Sequence, residues 1–253
     1  MSSTTARKPR KPASKRSVKQ APPPPLWRRA LRWTARVAIG FAGFIVAMVL
    51  LYAVVNPPTT PYQLSEGWRL AGVEQEWRSL DEIAPAMARS VIAAEDANFC
   101  LHWGFDMKAI RLAIAEGGSR GASTISQQTV KNAYLWQSRS WIRKALEAGM
   151  TPLVELVWTK RRILEVYLNV AEFGSGVFGV EAAAQHYYQV SAADLTATQA
   201  ARLAALLPSP KRWSPDDSYV KRRANQIIDG AATIEIDGRA ACLGILNDPK
   251  QLN

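Results

Sequence analysis

From Val37 to Val55 the chain runs for nineteen residues without a charge, and Phe41, Phe44, Ile45, Val46, Met48, Leu50 and Leu51 make the run strongly apolar. Wound as a helix, it would be about 28 Å long, close to the hydrocarbon thickness of a bilayer, so one membrane-spanning helix is predicted over residues 37–55. Trp27 and Trp33 on one side and Tyr52 on the other suit the two headgroup layers. Residues 1–36 hold Arg7, Lys8, Arg10, Lys11, Lys15, Arg16, Lys19, Arg28, Arg29, Arg32 and Arg36 and no acidic residue. Positive flanks stay inside, which puts this tail in the cytoplasm and everything from residue 56 across the cytoplasmic (inner) membrane. A cleavable signal peptide fits less well, because the run is long for one and no small-x-small site precedes Asn56-Pro57-Pro58.

The formal charge of +11 is therefore local. Of 32 Lys and Arg, eleven lie in the tail, and the remaining 21 balance the 21 Asp and Glu. The tail is rich in Pro and Ser and lacks an apolar pattern, so residues 1–36 are predicted to be disordered, and nucleic-acid binding is excluded as the purpose of the charge.

Residues 56–253 suffice for one domain with a sizeable core. Its class is mainly α. Ser79-Leu80-Asp81-Glu82 has the capping-box pattern, and 124–136, 140–171 and 195–207 are rich in helix formers. Pro152 is expected to interrupt the second of these stretches. Strand signals are few and short, the best being Val73–Trp77 and Thr233–Ile236, and Gly174, Gly176 and Gly179 mark a loop between helices.

Three clusters carry chemistry. Met87 to Ala94 is apolar at helical spacing, which puts Glu95 at the end of a core-facing helix, followed by Asp96, Phe99, His102 and Asp106. A carboxylate desolvated there is poised as a general base; a helix-end ion pair is the plainer reading. In Gly121-Ala122-Ser123-Thr124, a turn leads into a helix on which Gln127, Gln128 and Lys131 share a face suited to sugar hydroxyls or phosphate, or simply form an N-capped surface helix. Arg143, Lys144 and Glu147 make either a phosphate clamp with an acid able to hold a divalent ion, or a solvated salt-bridge ladder.

In order and spacing these clusters resemble the peptidoglycan glycosyltransferases, glycosyltransferase family 51, in their monofunctional membrane-anchored form. Glu95, Asp96, Phe99, His102, Gly104 and Asp106 match E-D-x-x-F-x-x-H-x-G-x-D; Gly121 through Asn132 match G-[GA]-S-T-[IL]-[TS]-Q-Q-x-x-K-N. Arg143, Lys144 and Glu147 match R-K-x-x-E, and Lys160, Ile163, Leu164, Glu165, Tyr167, Leu168 and Asn169 match K-x-x-I-L-E-x-Y-L-N. The resemblance implies a lysozyme-like, mainly α glycosyltransferase domain that polymerises lipid II into glycan strands by inverting transfer, with release of undecaprenyl pyrophosphate. It implies Glu95 and Glu147 as catalytic residues, Glu95 being the base. Substrate contacts would come from Asp96, Phe99, His102, Ser123, Thr124, Gln127, Gln128, Lys131, Asn132, Arg143 and Lys144. Glu147 would organise the pyrophosphate end, with a divalent cation (Mg or Mn) as a candidate cofactor there. Glu165, Tyr167 and Asn169 are assigned to structure. Expected partners are lipid II, the nascent lipid-linked glycan, the membrane, and proteins of cell-wall synthesis or division.

Two alternatives remain. A lytic transglycosylase or muramidase would share the fold and a glutamate, yet has no pyrophosphate for cations to neutralise. A membrane-anchored scaffold for wall-synthesis partners would not need Glu95 and Glu147. A transpeptidase is excluded: Ser218-Tyr219-Val220-Lys221 fits S-x-x-K, but too little chain follows. His102 and His186 lack metal-ligand spacing. Cys100 and Cys242, the only cysteines, are expected to be free thiols.

Overall fold

The computed structural model describes residues 26–117, 121–138 and 140–244 and is mainly α. It divides into two compact units, one through Phe44 and one from Ile45 onward. Helix α1, Leu26–Tyr52, is long and apolar enough to cross a membrane. It begins eleven residues before the expected boundary and stops short of Val55. Leu, Trp, Arg and Ala from residue 26 onward contain no helix breaker, so a segment assigned to the disordered tail is helical. Pro57 and Pro58 follow the other end. The rest of the tail lies outside the described residues.

Within the second unit the end of α1 is fixed to the domain. Trp158 Nε1 donates to the Val49 carbonyl (2.8 Å), while the Arg162 guanidinium donates to the carbonyls of Tyr52 (3.1 Å) and Val55 (2.9 Å) and to Asn56 Oδ1 (2.8 Å). Helices α2 (Pro61–Leu70), α3 (Pro85–Glu95), α4 (Met107–Ala115), α5 (Ile125–Tyr134), α6 (Trp141–Val157), α7 (Lys160–Val170), α8 (Val180–Tyr188), α9 (Ala197–Leu206) and α10 (Ser218–Asp237) follow. Thr60, Thr124 and Thr196 each close a capping box with a glutamine three residues on, which sets the starts of α2, α5 and α9. The box at Ser79 opens only a single 3-10 turn, Leu80–Glu82. Helix α3 packs on α9 and α10, and α5 packs on α6 and α7. Phe99, Tyr167, Phe173, Leu203 and Leu206 are fully enclosed in the core between them.

Several expectations need correction. The 140–171 stretch splits at Trp158, because the Thr159 hydroxyl accepts from Arg162 N and starts a new helix. Helix α6 instead runs unbroken through Pro152 to Val157. Thr233–Ile236 is no strand but the last turn of α10: Ile227 and Ile234 face inward at helical spacing, and the Thr233 hydroxyl donates to the Asp229 carbonyl one turn back. The glycine loop contains two short strands, β2 (Glu172–Gly174) and β3 (Val177–Phe178). They pair antiparallel, and β3 also pairs in parallel with β1 (Glu74–Gln75), inside the expected Val73–Trp77 segment, giving the order β1-β3-β2. Cys100 and Cys242 are not free: they form a disulfide with Cα atoms 5.7 Å apart. The fold brings the turn after α3 against the turn after α10, a proximity that sequence separation conceals.

Candidate active site

Glu95 closes α3, as the apolar spacing requires, and its carboxylate stands partly buried at a cleft. Gln128 Nε2 donates to Glu95 Oε2 (2.8 Å), and the Tyr167 hydroxyl donates to Gln128 Oε1 (3.1 Å). Burial raises the Glu95 carboxyl above its ordinary value; the Gln128 hydrogen bond and the charges of Arg223 and Lys131 pull the other way, and Asp96 adds to the rise. A carboxylate so placed is suited to accepting a proton from a bound hydroxyl.

The other residues of the first cluster turn inward. Asp96 accepts from Ile125 N (3.0 Å) and lies 2.9 Å from His102 Nε2, so the pair fastens the end of α3 to the start of α5. Phe99 is wholly buried, with Lys160 Nζ 4.6 Å from its ring centre. Asp106 accepts from the backbone of Lys108 and Ala109 at the start of α4, and these bonds hold its carboxyl low. Gly104 has φ +81°, its carbonyl accepts from Thr124 Oγ1 (2.6 Å), and an added Cβ would stand 2.6 Å from Thr151 Cγ2. Phe99 and His102 thus pack behind the site, while Asp96 also lines a small opening with Glu95, Ser123 and Thr124.

On α5 the expected shared face divides. Thr124 and Gln127 are consumed by the buried capping box, whereas Gln128, Lys131 and Asn132 line a cleft of about 590 Å3 together with Tyr62, Tyr167 and Lys211. A second opening of about 640 Å3 is lined by Glu95, Ser123, Gln128, Tyr219 and Arg223. Gln128 stands on the wall of both. Asn132, although largely buried, keeps its place at the first cleft while its Oδ1 accepts from Gln137 Nε2 (2.9 Å).

Arg143, Lys144 and Glu147 are no solvated ladder. Glu147 is only 2% exposed, one of its oxygens accepts from Arg143 Nη1 (2.7 Å), and the other pairs with Lys144. Lys144 Nζ also reaches Ser123 Oγ (3.2 Å), joining the second cluster to the third. Lys131 makes no ion pair with any described residue; burial lowers its ammonium, opposed chiefly by the charge of Glu147. Three cations around one carboxylate leave this end of the site positive and suited to a phosphate-rich group. It does not fit a divalent ion. Both Glu147 oxygens are engaged by cations, and the described residues contain no group of three or more His, Cys, Asp or Glu able to hold a metal.

Glu165 and Asn169 are structural as expected: Glu165 Oε2 accepts from Leu80 N (3.0 Å), and Asn169 exchanges two hydrogen bonds with the Arg78 backbone (2.8 Å each). Tyr167 is not confined to that role, since its hydroxyl reaches Gln128. Tyr62, Lys211, Arg212, Tyr219 and Arg223 also line the openings and were missed. The basic pair after Pro208-Ser209-Pro210 was a usable signal in a loop; nothing in the helical spacing of α10 distinguishes Arg223.

Residues 64–232 match the family model described as Transglycosylase. The chain is 63% identical to the Biosynthetic peptidoglycan transglycosylase of Jannaschia sp. (strain CCS1), over 83% of this chain and 89% of that protein. It is 49% identical to the protein of the same name from Caulobacter vibrioides, over 80% and 90% of the two chains. With that of Rhodospirillum centenum the identity is 46%, over 85% and 96%.

Proposed function

This chain belongs to the Transglycosylase family, and from that premise we propose that it is a biosynthetic peptidoglycan glycosyltransferase that polymerises lipid II into glycan strands. The observation that carries the proposal is the pairing, across one site, of a carboxylate raised by burial with a cationic cluster that has only one carboxylate to balance it. An alcohol nucleophile needs a base, and a pyrophosphate leaving group needs positive charge.

Glu95 takes the proton of the acceptor sugar's 4-hydroxyl as that oxygen attacks the anomeric carbon of the lipid-linked donor. The bond from that carbon to the pyrophosphate oxygen breaks, configuration inverts, and undecaprenyl pyrophosphate departs. Lys131, Arg143 and Lys144 neutralise the charge that develops on the leaving group, and Ser123 and Gln128 orient the groups around it. Glu147 sets the positions of Arg143 and Lys144, so it acts through them. No step is assigned to a metal.

The apolar helix α1 supports membrane anchoring, and its cationic flank supports a cytoplasmic N-terminus with the catalytic domain outside the inner membrane. The disulfide supports the same placement, because such bonds persist in oxidising compartments. An anchor beside substrates that carry polyprenyl tails raises their effective concentration. Lipid II, the growing lipid-linked strand and wall-synthesis or division proteins are the partners this reading implies. Purified protein incubated with lipid II decides it: glycan polymer is expected, whereas cleavage of preformed strands without polymer would establish a lytic enzyme instead.

A further inference from the structure

Gln128 reaches Glu95 with its nitrogen and Tyr167 with its oxygen, and the two orientations of an amide are not equivalent in that position. With the amide reversed, its oxygen would face a carboxylate oxygen 2.8 Å away and the Tyr167 hydroxyl would lose its acceptor. Tyr167 is 1% exposed, and its hydroxyl makes no other hydrogen bond with a described residue. Burial and the nearby Glu95 and Asp96 charges push its phenol well above the ordinary value, so it remains a donor throughout the working pH range. It lies 39 residues from Gln128, on α7, a helix that also carries Glu165 and Asn169 as fixed points of the fold.

We propose that Tyr167 is a positioning residue for glycosyl transfer: it locks the Gln128 amide so that the nitrogen holds Glu95 Oε2, leaving the other carboxylate oxygen for the acceptor hydroxyl. This rests on the reading of Glu95 as the base. The charged and titratable groups around Glu95 are Asp96 beside it, Lys131 on α5 and Arg223 on α10, with Tyr167 behind Gln128. Removal of the Tyr167 hydroxyl leaves all the charges in place and releases only the amide. A freed amide donates less well to the carboxylate, so the charged form of the base is less favoured.

The test is the pH dependence of lipid II polymerisation by Tyr167→Phe, Gln128→Met and the double variant, each with its melting temperature. Tyr167→Phe is expected to lower kcat about tenfold, leave KM unchanged, and move the acid limb of kcat/KM upward by about half to one pH unit. Gln128→Met should move the limb at least as far, and adding Tyr167→Phe to it should change nothing further, because the hydroxyl acts only through the amide. An unmoved acid limb in a folded Tyr167→Phe protein, or additive effects in the double variant, overturns the proposal. If Tyr167→Phe does not fold, an unmoved limb in Gln128→Met overturns it equally. Glu95→Gln separates the two readings: full turnover there removes the base assignment, whereas an inactive Glu95→Gln beside an unmoved Tyr167→Phe profile removes only the relay.

Discussion

Cys100 and Cys242 stand 142 positions apart and are covalently joined, tying the turn that follows Glu95 to the turn that follows α10. A closed loop of that length restricts the unfolded chain enough to stabilise the fold by about 2–5 kcal/mol. Reductant is therefore expected to lower the melting temperature by several degrees, and Cys242→Ser to do the same without reductant. Thiol titration of denatured, unreduced monomer checks the premise: it should find no free thiol, and two would refute the bond.

Glu95→Gln is expected to cut polymerisation by about 10²- to 10⁴-fold with the fold intact. It should also alter stability in a pH-dependent way. The folded carboxyl titrates above its unfolded value of 4.5, so the folded state binds the extra proton between those two values and stability falls as pH rises through that window. Removing the carboxylate should raise the melting temperature on the alkaline side of the window and lose that advantage on its acid side, below 4.5. Parallel thermal melts of the two proteins across pH test this; a constant difference would contradict it. The same sign places the acid limb of wild-type activity above 4.5.

Lys131 and Arg143 should part company. Lys131 is desolvated without an ion-pair partner among the described residues, so Lys131→Met is expected to reduce turnover by about 10²-fold or more while leaving the melting temperature unchanged or higher. Arg143→Ala leaves buried Glu147 with Lys144 alone and should cost about 1–3 kcal/mol of stability as well as activity. Urea titration and lipid II turnover on both variants distinguish them. Equal stability losses would mean that Lys131 is part of the structural pairing.

Gly104→Ala should destabilise by about 1–3 kcal/mol, since φ is +81° and the new methyl would meet Thr151 inside the fold. A melt indistinguishable from wild type would show that the loop shifts freely.

The sequence carried the site's outline because its governing signals are local. Apolar spacing placed Glu95 at a helix end, and R-K-x-x-E necessarily put Arg143, Lys144 and Glu147 on one helical face. What it concealed depends on approach between distant segments. The Tyr167 to Gln128 contact spans two helices, and the Cys100 to Cys242 bond spans nearly the whole domain. Thr124 and Gln127 also have the spacing of a capping box, the pattern recognised at Ser79 and Glu82, and the structure shows that box closed. Thr233–Ile236 read as a strand because β-branched residues favour one, but the inward spacing of Ile227 and Ile234 makes it helix.

Arg162 ties the end of α1 into the domain that follows it. A helix leaves its last carbonyls without intrahelical partners, and here Trp158 donates to that of Val49 and the Arg162 guanidinium to that of Tyr52, Arg162 belonging to the same helix as Tyr167. Residues 45–56 are consequently a bracket and not a leash. The last turn of α1 is thereby part of the domain's own hydrogen-bond network and would come loose only together with the start of α7.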